Sequence, residues 1–167
     1  MTSDEMIRDE ITPAYEKVLP PSEPRFSHAD APKTETKDHG LDVVVVCSSM
    51  EATRTALRKA GTLASELNAQ ITLVMPQTVP YPLPLTSPPV LLDFRERRLR
   101  DLASESPVAV VIRIYLCRDR DEALDMVLKP CSLVVLGGRK RWWPTAEKAL
   151  ARRLRRKGHE VILTETE

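Results

Sequence analysis

The chain has 167 residues, 42% of them hydrophobic and 29% charged, with a formal net charge of +1. That is enough for one domain with a proper core and ordinary for a soluble globular protein. No apolar run approaches the ~20 residues of a membrane span, and the acidic, polar first ten residues lack the pattern of a signal or transit peptide. Cys47, Cys117 and Cys131 form no CxxC pair, and no His/Cys cluster has metal spacing. A reducing, cytoplasmic compartment is therefore expected, with no metal site.

Residues 1–40 hold five prolines and many charges without sustained periodicity. They predict a disordered acidic leader, with at most a helical turn over 13–18. From Leu41 the texture changes. Val43-Val44-Val45-Val46-Cys47 is a continuous β-branched run, the pattern of a strand buried on both faces. Ser48 or Ser49 then caps a helix over 50–68, whose apolar face is Leu57, Ala60, Leu63, Ala64 and Leu67. A second buried strand is predicted at 71–75.

Six prolines in residues 76–90 predict an extended loop with little regular structure. A helix over 91–104 follows, with Leu92, Leu99, Leu102 and Ala103 inward and Arg95, Arg97, Arg98 and Arg100 mostly outward. Residues 108–116 read as the third strand. Asp119 with Glu122 caps a short helix that ends near Leu128, before Lys129-Pro130. A fourth strand at 133–136 and a helix over 145–157, stopped by Gly158, precede a fifth strand at 159–164. This β-α-β-loop-α-β-α-β-α-β order predicts an α/β domain from residue 41: a Rossmann-like, five-stranded parallel open sheet with helices on both faces.

In such a sheet, ligands bind at the carboxyl ends of the strands, where the winding reverses. If the second and third strands lie on one side of the first, and the fourth and fifth on the other, two segments face one crevice. They are Cys47-Ser48-Ser49 and Gly137-Gly138-Arg139. The predicted site residues are accordingly Ser48, Ser49, Gly137, Gly138, Arg139 and Lys140. The serines would offer hydroxyls and helix-start amides, the glycines close backbone approach, and the two side-chain cations charge.

Over residues 42–164 the chain resembles the universal stress protein family. The resemblance rests on the first strand, the Ala64-Ser65-Glu66-Leu67-Asn68-Ala69-Gln70 helix end, the Ile71-Thr72-Leu73-Val74 strand and the proline-rich insertion. It also includes Arg118-Asp119-Arg120-Asp121-Glu122-Ala123 and Ser132-Leu133-Val134-Val135-Leu136-Gly137-Gly138-Arg139. It implies the adenine-nucleotide alpha-hydrolase-like fold, an adenine nucleotide such as ATP as the ligand, a stress-response role and a homodimer formed through the last strand. The chain also departs from the family. Ser48 stands where nucleotide-binding members carry Asp, Lys140 replaces the second glycine of the Gly-x-x-Gly phosphate loop, and Glu147-Lys148 falls where Gly-Ser or Gly-Thr would align. A lysine prevents the close approach that glycine permits, and a glutamate sets a negative charge beside a phosphate. Weak or lost ATP binding is therefore expected. The alternative is an adenine-nucleotide site that uses Arg139 and Lys140 for the phosphates.

No catalytic constellation emerges. A phosphatase loop on Cys47 would need arginine at position 53, which is Thr53, so Cys47 reads as a core residue, as do Cys117 and Cys131. His28 and His39 fall in the leader, and His159 lies away from the crevice. Residues 137–159 carry nine Lys/Arg against one Glu. They read as a solvated helix face, an anion site, or a segment for docking on nucleic acid, an anionic membrane or a protein, with Trp142 and Trp143 as anchors. The expected disposition of Trp142-Trp143-Pro144 is a turn packed over the sheet edge.

Overall fold

The computed structural model describes residues 11–21 and 41–166. Strands β1 (Ile11–Leu19), β2 (Asp42–Val46), β3 (Gln70–Thr78), β4 (Val110–Cys117), β5 (Leu133–Arg139) and β6 (Glu160–Thr166) form one sheet in the order β1-β4-β3-β2-β5-β6. Strands β2 to β6 run parallel, with the arrangement expected around the first predicted strand. Helices α1 (Met50–Leu67), α2 (Leu92–Ser104), α3 (Arg120–Val127) and α4 (Ala146–Arg156) make the crossovers.

Alternation along the buried strands divides the core. Val43, Val45 and Val135 face α1 and α2, where Ala56, Ala60, Ala64, Leu99 and Leu102 meet them. Val44, Val46, Val134 and Leu136 face α3 and α4, against Leu124, Leu150, Ala151 and Leu154. Helices thus cover both faces, and each fully buried Leu or Ile contributes roughly 1.5–3 kcal/mol. Alanines at 52, 56, 60 and 64 put a small-residue stripe on α1, so its backbone lies close to the sheet. Leu67, at the end of that face, is exposed.

Local capping follows the sequence. Ser49 Oγ accepts from the Ala52 amide to start α1, and Asn68 ends it in the left-handed region at φ 51°. Asp119 accepts from the Asp121 and Glu122 amides at the start of α3. Thr145 caps α4, and Gly158, at φ 92°, follows its end.

Two expectations change. The sheet has six strands, because residues 11–19 form a strand rather than a disordered leader or a helical turn, and β1 lies antiparallel to β4. Tyr15 and Leu19 pack against the core. A register shift between Pro13 and Tyr15 accommodates the proline, which an edge strand tolerates because one side needs no amide donor. Residues 1–10 and 22–40, with the rest of the expected leader, lie outside the described residues. Second, Cys131 is exposed at φ 56° rather than buried in the core. None of the described helices is long and apolar enough to cross a membrane.

Candidate functional site

The crevice arises because the central strand is short. β2 ends at Val46, paired with Val74 on one side and Leu136 on the other. β3 continues through residues 75–78 against β4, and β5 through residues 137–139 against β6. Beyond Val46 the two neighbours flank an open notch, and the chain turns there into Ser48, Ser49 and the start of α1. Pro76 is tolerated within β3 because β2 no longer flanks that side. Strands therefore reach further than predicted on both sides, into the proline-rich segment and through Gly137, Gly138 and Arg139.

Ser48 and Gly137 do meet. Ser48 Oγ donates to the Gly137 carbonyl at 3.0 Å, which commits that hydroxyl internally. Ser49 Oγ is committed as the α1 cap. Buried Thr53 occupies the turn: its Oγ1 accepts from the Ser48 amide at 3.2 Å and donates to the Ser49 carbonyl at 2.8 Å. A Cβ on Gly137 would lie 2.0 Å from the Ala52 carbonyl oxygen. Close approach at this glycine is thus used by the protein's own helix. Gly138 faces the other side, where a Cβ would meet Glu147 Cβ at 3.5 Å. Arg139 and Lys140 are exposed, and the Lys140 amide donates to the Thr166 carbonyl at 3.0 Å, extending the β5–β6 pairing.

Two adjoining clefts open at the notch and share Ser49 and Glu147. One, of about 420 Å³, is lined by Gly138, Arg139, Arg141, Trp143 and Thr145. The other, of about 410 Å³, lies above β2 and β3 between Cys47, Gln77, Val90, Arg95 and Arg120. Both volumes suit a small organic ligand. Arg95 and Arg120 escaped the sequence reading. Arg95 was assigned to the outer face of its helix, and Arg120 was passed over within the α3 cap. The available signal was their position at the starts of two helices, where the helix dipole disfavours a cation.

The proline-rich segment borders the second cleft and is tied down. Arg118 Nη1 donates to the Val79 and Leu83 carbonyls, both at 2.9 Å, and its guanidinium stacks 4.2 Å from the centre of the Tyr81 ring. Gln77 Nε2 donates to the Val90 carbonyl at 3.4 Å.

Cys47 is buried at the cleft floor, and burial pushes its thiol up to about 12, despite Arg120, Thr53 and Arg95 nearby. Burial also raises the Cys117 thiol. Neither is a thiolate at neutral pH. His159 Nδ1 accepts from the Ser132 amide at 3.1 Å, far from the notch in the sheet. Among the described residues, no group of three or more His, Cys, Asp or Glu side chains is placed to hold a metal.

The basic segment divides in two. On α4, Arg153 pairs with Asp121 and Asp125, Lys157 with Asp125, and Arg155 donates to the Val161 carbonyl at 2.8 Å. These cations tie α4 to α3 and β6. The turn before α4 is open: Trp142 is 88% and Trp143 64% exposed, their rings edge to face at 5.3 Å, beside exposed Arg139, Lys140 and Arg141. The expected packing of this turn over the sheet edge is not observed.

Fold and notch together define an α/β domain with an open, mostly parallel sheet and paired clefts at its topological switch point. The chain matches no protein-family model, and a comparison with curated proteins gives no match.

Proposed function

We propose that this chain is a non-catalytic regulatory or stress-response module of the universal stress protein type, in which ATP binding is weak or lost. One observation carries the reading. The crevice expected of that fold is present, but the glycine that would cradle a phosphate is closed by the Ala52 backbone, within a strand rather than a loop. Side-chain cations and helix starts remain around the notch, so a ligand-responsive role is retained in a changed site. The buried, protonated Cys47 supports a non-catalytic role, and the three free cysteines support a reducing, cytoplasmic setting. The last strand, β6, forms one edge of the sheet with Ile162 and Leu163 only partly buried, which supports a homodimer through that edge.

Calorimetric titration of the full chain with ATP, with and without magnesium, tests this reading. The full chain is needed because β1 belongs to the sheet. The expected result is binding no tighter than about millimolar. Micromolar binding would overturn it in favour of a nucleotide sensor. Loss of that binding in Arg139→Ala/Lys140→Ala would then assign the phosphates to those cations.

The exposed tryptophan pair favours a second reading, docking on an anionic surface through Arg139, Lys140, Arg141, Trp142 and Trp143 rather than through all of 139–157. Salt-sensitive binding to anionic vesicles, lost in Trp142→Ala/Trp143→Ala, is the expected result. Vesicle binding unchanged by that substitution would reject it.

A further inference from the structure

Within the cleft above β2 and β3, Arg95 and Arg120 have no ion-pair partner among the described residues, although other arginines of this fold do. Among the described residues Arg120 reaches one acceptor, the Cys47 carbonyl, at a long 3.5 Å. The buried Arg95 Nε has no hydrogen-bond partner among the described residues. Beside them, Gln77 is 7% exposed, and its buried Oε1 is likewise without a partner. Buried polar groups are ordinarily satisfied, because leaving one unpaired costs as much as its desolvation. Two such atoms of opposite polarity, one donor and one acceptor, belong to side chains that line one cleft.

The placement of these arginines also runs against local stability. Arg120 is the first residue of α3, and Arg95 lies one turn into α2. Helix N-termini carry partial positive charge, so a cation there is unfavourable unless something negative is held beside it. The four described helices all begin at this end of the sheet, with Ser49 at α1 and Glu147 at α4 completing the cleft. The field at the floor is therefore positive, and two guanidinium forks match the planar or tetrahedral oxygens of an oxyanion.

Glu147 limits the charge of the ligand. Among the described residues it is the one carboxylate lining this cleft, and it also lines the adjoining one, so a polyphosphate running from one cleft into the other would pass it. A ligand with a single oxyanion group at the floor, and a hydroxyl or amino group to donate to Gln77, fits the arrangement.

We propose that Arg95 and Arg120 bind the carboxylate or phosphate group of a small hydroxylated or aminated organic acid, with Gln77 accepting a hydrogen bond from its neutral end. The site deepens the ligand-responsive reading above but uses neither the glycines nor Arg139 and Lys140.

The full chain is titrated with glycerol 3-phosphate, lactate and inorganic phosphate, against chloride at matched ionic strength, by thermal shift and by NMR of the arginine Nε–Hε signals. Saturable binding of glycerol 3-phosphate or lactate, with the Arg95 and Arg120 signals moving, is expected. The stronger of the two identifies the oxyanion as phosphate or carboxylate. Arg120→Ala and Arg95→Lys should each weaken it at least about tenfold, since lysine keeps the charge but loses the fork. Lys59→Ala, an exposed cation of α1 outside both clefts, should leave it unchanged. Equal responses to all three anions and chloride, or binding unaffected by Arg120→Ala in a folded variant, would overturn the assignment. ATP binding is read separately. Oxyanion binding without ATP binding upholds both proposals, whereas tight ATP binding insensitive to Arg95 and Arg120 sinks only the weak-ATP reading, and oxyanion binding that survives the Arg95 and Arg120 substitutions sinks only the present one.

Discussion

The backbone carbonyl of Ala52 lies where a side chain on Gly137 would have to go, with 2.0 Å between that oxygen and a Cβ. The alanine stripe of α1 and the glycine of β5 are thus two halves of one contact, and adding a methyl group forces the helix off the sheet. Gly137→Ala is expected to destabilise the fold by more than about 3 kcal/mol. Gly138→Ala, with its Cβ at an ordinary 3.5 Å from Glu147, should change stability by less than about 1 kcal/mol. Urea unfolding of the two variants gives the comparison. A benign Gly137→Ala would mean that α1 can withdraw and that the glycine is available to a ligand.

Asp125 ties α3 to α4. Burial works against its charge, but hydrogen bonds from Lys157 and Arg153 outweigh it and hold the carboxyl below the usual range. A depressed folded-state pKa stabilises above the unfolded-state pKa, and that contribution is lost as pH falls through the folded value. Asp125→Asn should therefore lower Tm by a few degrees at pH 7 and matter progressively less as the pH falls below 4. Thermal melts across that window check it, and a constant difference would reject the linkage.

Asp42 shifts the opposite way. Burial raises its pKa, only partly offset by the Thr72 hydroxyl, which donates to it at 2.8 Å. Ionisation of a group with a raised folded-state pKa disfavours the fold as pH rises above the unfolded value. Asp42→Asn keeps an oxygen for Thr72 and removes the charge, so Tm at pH 7 should rise slightly. The gain should vanish near pH 3, where the wild-type carboxyl is protonated in both states. A loss of stability at pH 7 would show that the charge has a favourable partner in solution.

Arg118 organises the proline-rich segment through two carbonyls and the Tyr81 ring, and the segment's other end borders the Arg95–Arg120 cleft. Arg118→Ala should raise the rate of limited proteolysis within 79–91 at least about tenfold, with little change in global Tm, because the tether is local. Arg118→Lys should not restore protection, since an ammonium cannot fork between two carbonyls and stack on a ring. Unchanged proteolysis would mean that Gln77 and the prolines hold the segment unaided.

The parallel core was legible because β2, β3 and β5 are flanked on both faces, and burial on both faces writes itself as unbroken Val, Ile and Leu. The caps at Ser49, Asp119 and Gly158 were legible for an equally local reason. β1 was not. An edge strand needs hydrogen-bond partners on one side only, so Ile11–Leu19 can carry Pro13, Glu16 and Lys17 and look like a leader. The strand extensions through Pro76 and Gly137 depend on what β4 and β6 offer beyond the end of β2, which no local pattern encodes. Convergence of Ser48 with Gly137 followed from topology. The consumption of both by internal contacts depended on how closely α1 seats, a tertiary quantity. Arg95 reads as an outward charge, and Arg120 does not stand out, because sequence shows which helix face a residue occupies, not which long side chain reaches over a strand end.

The pairing of β1 with β4 sets an order of events during synthesis. Ile11 lies opposite Cys117 and Leu19 opposite Val110, so β1 meets its partner only after about a hundred further residues have been made. Until then residues 11–19 trail a growing sheet whose β3 edge awaits β4 and whose β4 edge is not yet formed. Although β1 is made before the other described strands, it must wait for β4 to take its place, and its docking seals an edge that would otherwise remain open to a neighbouring nascent chain.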